Sequence, residues 1–184
     1  SSLLELFHRY LRENGVPEAK VIHMNLESLR HRELTDYLSF YDYISERISG
    51  DGKTYLIFDE LQAVEHWEKA IESFRLDFDV DIYITGSNAR LLSTEFSTLL
   101  SGRYVEIRML PLSFREFLKF GEFDAAGTMD ERFQKYLQFG GMPILREYRF
   151  HEARCNQALE GIYSTVVLRD ILQRNPQADP AILQ

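Results

Sequence analysis

Two short apolar runs end in residues that could do phosphate chemistry. Tyr55-Leu56-Ile57-Phe58 runs into Asp59-Glu60, and Val80-Asp81-Ile82-Tyr83-Ile84 runs into Thr85-Gly86-Ser87-Asn88. An uninterrupted apolar run bounded by turn residues suits a strand buried on both faces of a parallel sheet. Ligands of open α/β sheets sit outside the carboxyl ends of such strands. A carboxylate at the tip, here Asp59, can help to hold Mg2+, and the carboxylate after it, Glu60, can polarise an attacking water. This is the Walker B arrangement of nucleotide hydrolases. The same residues also suit a buried strand with an acidic turn, and a strand-to-helix turn in which Ser87 or Asn88 caps the next helix.

These tips need a scaffold, and the chain supplies an alternating pattern for it. Leu3, Leu4, Phe7, Tyr10 and Leu11 predict a helix over 1–13, closed by Asn14-Gly15 with Pro17 just beyond. A strand is expected over 21–26 and a helix over 29–48. Ser49-Gly50-Asp51-Gly52 breaks the chain before the acidic-tipped strand. Val64, Trp67, Ala70, Ile71 and Phe74 make the stripe of the next helix, with Trp67 in the core. Helix and strand alternate through residue 88, which argues for βαβ units and a mostly parallel sheet flanked by helices. A short helical stretch is expected over 89–100. Tyr104-Val105-Glu106-Ile107-Arg108 alternates strictly and predicts a half-exposed edge strand. Pro111 marks a change to helical patterning alone. Phe114, Phe117 and Leu118 give one short helix, and Phe133, Tyr136 and Leu137 another. Gly140-Gly141-Met142-Pro143 is a sharp turn. A long helix over 151–173 turns Leu159, Ile162, Tyr163, Val166, Val167 and Ile171 inward. Two regions follow: a core over 1–110 and a helical subdomain over 111–184.

The chain has 184 residues, 45% hydrophobic and 27% charged, which is ordinary for a soluble globular protein. No apolar run is long enough for a membrane span. A single cysteine, Cys155, excludes an internal disulfide framework and, with no secretory signal at the start, fits the cytoplasm. The net charge of −8 does not support a nucleic-acid surface in this segment. Thirteen Phe and ten Tyr point to a large core or to a packing surface, and a homo-oligomer is one use for the latter.

The order of motifs is specific. Tyr-Leu-Ile-Phe-Asp-Glu-Leu-Gln, Trp67-Glu68, Ile-Tyr-Ile-Thr-Gly-Ser-Asn, Leu-Ser-Gly-Arg, Leu-Pro-Leu-Ser-Phe-Arg-Glu-Phe and Gly-Gly-Met-Pro follow one another over nearly the whole chain. This series resembles a large family of prokaryotic AAA+-superfamily ATPases, related to the archaeal-type ATPases, that carry a C-terminal domain of unknown function. The resemblance implies a P-loop ATPase core followed by a helical region, with ATP and Mg2+ as cofactors. It implies Asp59 on the metal side and Glu60 as the carboxylate that activates water. Ser87 and Asn88 would lie at the sensor position, and Thr85, Ser87 or Asn88 could each make the contact to the γ-phosphate or the water that such a strand end provides. Arg103 follows the family's Gly-Arg and would be an arginine finger or phosphate sensor; a surface Arg is the alternative. Ser1-Ser2 resembles the tail of a P-loop, with Ser1 as a Mg2+ ligand or simply a helix N-cap. The loop glycines and lysine that should precede it are not in this chain, so tight ATP binding by these residues alone is not expected. The implied reaction is Mg2+-dependent hydrolysis of ATP in the full-length protein. A catalytically inactive, ATPase-like interaction module is the alternative.

Overall fold

The computed structural model describes residues 2–50, 52–86, 102–121 and 127–164. The chain divides into two compact units, Ser1–Val105 and Glu106–Gln184.

The first unit is built on a three-stranded sheet in the order β1 (Val21–Asn25), β2 (Thr54–Asp59) and β3 (Val80–Ile84). Both pairings are parallel. Asn25 lies beside Asp59, and Phe58 beside Ile84. β2 is central, and Leu56, Ile57 and Phe58 are fully buried, as an uninterrupted apolar run requires. Helix α1 (Ser2–Glu13) covers one face through Leu4 and Leu11, which pack with Val21 and Ile57. Helices α2 (Tyr37–Ser45) and α3 (Trp67–Asp77) cover the other. There Phe40, Phe58 and Phe74 meet ring to ring, with centroids 4.9 Å apart for Phe40–Phe58 and 5.7 Å for Phe40–Phe74. Burying one such ring contributes about 1.5–3 kcal/mol. Tyr41 stacks on Phe74 and donates to Asp77 at 2.6 Å, tying α2 to α3. Trp67 packs against this core at the start of α3, while Val64 is buried in the turn before it.

The helix expected over 29–48 is broken: Leu29–His31 is a single 3-10 turn, and α2 begins only after Asp36. The Asp36 carboxylate accepts from the backbone N–H of Leu38 and Ser39, which makes it an N-cap and turns the chain there. The edge strand expected over Tyr104–Arg108 does not form. Val105 and Ile107 are 88% and 77% exposed, and Arg108 pairs with its near neighbour Glu106 at 2.7 Å. Alternation suits a strand, but a ladder also needs a neighbour to take up its N–H and C=O groups.

The described residues of the second unit form helices and turns: α4 (Phe114–Phe120), α5 (Met129–Phe139), a 3-10 turn at Pro143–Arg146, and α6 (Glu152–Tyr163). Ser113 with Glu116 and Thr128 with Glu131 form capping boxes that start α4 and α5. Phe139, Leu145 and Cys155 are its buried core, and the Phe117 ring meets those of Tyr136 and Phe150. Gly141 brings the chain against Leu112, whose N–H donates to the Gly141 carbonyl at 2.7 Å. On α6, Cys155 faces inward, but Tyr163 is 55% exposed, contrary to the inward position expected. Val166, Val167 and Ile171 lie outside the described residues, as does the stretch 89–100.

Candidate functional site

The site lies where the parallel strands end. β2 carries Asp59 to its tip and buries it to 4% exposure. A buried carboxylate needs partners, because desolvation penalises its charge. One comes from the next strand. The Thr85 N–H donates to the Phe58 carbonyl at 2.9 Å, which extends the β2–β3 ladder by one residue. This places the Thr85 hydroxyl against Asp59, and Thr85 Oγ1 donates to Asp59 Oδ1. On the other side, the Leu26 N–H donates to the Asp59 carbonyl at 3.0 Å. Asp59 is thus fixed by both neighbouring strands.

Glu60 leaves the sheet in the left-handed region, at φ 56° and ψ 43°. A non-glycine residue there costs about 1–2 kcal/mol, so the turn must be held by its surroundings. It is held by Leu61, which is fully buried and whose N–H reaches the Thr85 carbonyl at 3.4 Å, and by the Ala63 N–H bonding the Glu60 carbonyl at 3.1 Å. Glu60 Oε2 accepts from Gln62 Nε2.

The direction of α1 follows from its contacts with β1. His8 Nδ1 is 3.3 Å from His23 Nδ1, at mid-strand. Arg12 Nε is 2.8 Å from Glu18, just ahead of the strand's start. Later residues of α1 therefore meet earlier residues of the sheet. The helix runs against the strands and sets its first turn, with Ser2, at their carboxyl ends. The N-terminus of a helix carries about half a positive charge and unpaired N–H groups.

The structure brings Asp59, Glu60 and Thr85 together and aims the first turn of α1, with Ser2, at their end of the sheet. Ser1, Ser87 and Asn88 lie outside the described residues. Arg103 is paired elsewhere: its Nη1 is 2.6 Å from Glu72 on α3, and Glu72 also holds Arg75 at 2.7 Å. Gln62, the last residue of the Asp-Glu-Leu-Gln motif, lies at the site without a role that the sequence pattern assigned to it.

The donor set suits a hard cation. Asp59 and Thr85 offer oxygen, and among the described residues no group of three or more His, Cys, Asp or Glu could hold a metal ion alone. Mg2+ keeps several waters and is usually bound by one or two carboxylates together with substrate phosphates. The residues present fit that role.

Three parallel strands flanked by helices, followed by a helical segment, make a P-loop NTPase-like α/β fold. Residues 1–118 match the model of the AAA domain family, and the chain belongs to that family. It is 39% identical over its whole length to an uncharacterized protein of Haemophilus influenzae, covering 46% of that protein. It is 33% identical to an uncharacterized protein of Methanocaldococcus jannaschii, over 65% of this chain and 29% of the relative. The chain thus spans less than half the length of these relatives. No solved structure matches it.

Proposed function

We propose that the whole protein binds ATP with Mg2+ and hydrolyses its β–γ bond. The observation that carries this reading is the Asp59–Thr85 contact, which joins two strand tips into one oxygen-rich end beside Glu60 and the start of α1. Mg2+ when bound would neutralise charge on the β and γ phosphates. Asp59 with Ser1 would hold it, and Thr85 keeps the Asp59 carboxylate oriented. Ser2 and the first turn of α1 would receive phosphate oxygens through backbone N–H groups. Glu60 would orient or deprotonate the attacking water. Ser87 and Asn88 would stand at the sensor position. Arg103 would exchange Glu72 for a phosphate oxygen, within one copy or between copies of a homo-oligomer; both partners are anions of the kind a guanidinium grips.

The reading sets the reaction in the cytoplasm, where ATP and Mg2+ abound and the buried Cys155 thiol stays reduced. Among the described residues no helix is long and apolar enough to cross a membrane. The test is nucleotide binding by the whole protein with and without Mg2+. Binding that depends on Mg2+ and is weakened by Asp59→Ala supports the reading; binding indifferent to both contradicts it.

A further inference from the structure

We infer that Gln62 is a positioning residue for the Glu60 carboxylate; this rests on the ATPase reading above. Gln62 Nε2 donates to Glu60 Oε2, and Gln62 is half-buried. Several features separate this contact from an incidental turn bond.

The backbone of the turn does not need it. Leu61 N–H to Thr85, Ala63 N–H to Glu60 and Val64 N–H to Leu61 already close the turn, and Leu61 and Val64 are buried beneath it. The amide bond spans residues of one turn and joins no two elements. What it fixes is the Glu60 side chain. A free Glu side chain samples several rotamers, and a base that wanders reaches its water only part of the time.

The chemistry of the donor also fits. A carboxylate accepts at about four lone-pair sites, so the bond at Oε2 gives it direction without exhausting its capacity for a water. The amide is neutral. A Lys or Arg at this position would hold the carboxylate as an ion pair and make it a poorer base. Gln gives direction without cancelling the charge.

The experiment has two arms. In the whole protein, Gln62→Leu keeps the approximate volume and removes the donor. It is expected to lower kcat about tenfold with KM for ATP unchanged, since supporting contacts of this kind cost about 10–100-fold when removed. In the second arm, NMR follows the side-chain amide protons of Gln62 in the whole protein. They are expected downfield and slow to exchange, and Glu60→Ala should shift them upfield and speed their exchange while β2 backbone signals stay in place. Parent kcat in Gln62→Leu, alongside a dead Glu60→Gln, overturns the positioning role and leaves the ATPase reading standing. Gln62 amide signals unmoved by Glu60→Ala overturn the contact itself. Parent-rate turnover by Glu60→Gln, or no turnover by the parent protein, overturns the ATPase reading and the kinetic role of Gln62 together.

Discussion

Thr85 Oγ1 donates a hydrogen bond to Asp59 Oδ1, so the tip of β3 orients the carboxylate at the tip of β2. Thr85→Val keeps the shape of the side chain and removes the donor. A buried carboxylate that loses a partner costs about 1–3 kcal/mol. Thr85→Val should lower the urea midpoint by a corresponding amount, and Thr85→Ser should restore most of it. Equal stability of the Val variant and the parent would mean that the Asp59 carboxylate does not depend on Thr85.

The His8–His23 contact gives α1 an acid-sensitive seat. Burial chiefly, and then the neighbouring His8, holds His23 below its ordinary value of 6.5, with Glu5 opposing; Glu18 lies 3.5 Å from His8. The folded state therefore takes up the proton later than the unfolded chain as pH falls. Stability from this site is complete above about pH 6.5 and declines below it toward the folded value. His23→Phe should flatten that decline. Denaturation midpoints at about pH 7.5 and about pH 5.5 check it, and an unchanged slope in the variant would assign the decline to other groups.

Gly141 lies where no side chain fits. A Cβ there would stand 2.1 Å from the Leu112 carbonyl oxygen, which belongs to the backbone and cannot swing aside. Gly141→Ala should destabilise the Glu106–Gln184 unit by about 1–3 kcal/mol, the usual range for overpacking. Hydrogen exchange of the α4 and α5 amides should speed up while β2 amides stay protected. Unchanged exchange in both helices would refute the crowding.

The strand tips could be read from the sequence because β2 is buried on both faces, which leaves a continuous apolar run that stops at the sheet's end. The expected parallel α/β architecture follows from that run and its alternation with helical stripes. What escaped is what periodicity does not encode. Leu38, Tyr41, Ile44 and Ile48 share one helical face, which suits a helix over 29–48, yet the Asp36 carboxylate captures Leu38 and Ser39 N–H and starts the helix only there. Tyr104–Arg108 has the side-chain period of a strand but no neighbouring ladder among the described residues. The capping boxes at Ser113 and Thr128 were legible as Ser-x-x-Glu and Thr-x-x-Glu and would have fixed the starts of α4 and α5. Gln62 closes the Asp-Glu-Leu-Gln motif, but its reach to Glu60 was not legible, since it depends on the left-handed backbone at Glu60.

Asp59 and Glu60 are adjacent in sequence but differ in surroundings: one is buried and held by a hydroxyl, the other sits beyond the strand on a left-handed turn. In the proposed reaction their tasks differ, and their substitution in the whole protein separates those tasks. Asp59→Ala should weaken Mg2+-dependent ATP binding itself. Glu60→Gln should bind ATP with near-parent affinity and turn it over about 10²–10⁴-fold more slowly, the usual effect of losing a positioned base. The most direct measurement is ATP affinity and single-turnover rate for Glu60→Gln beside the parent. Tight binding with collapsed turnover is the predicted result. Turnover at the parent rate would contradict the account and leave the acidic pair as a turn at the end of a buried strand.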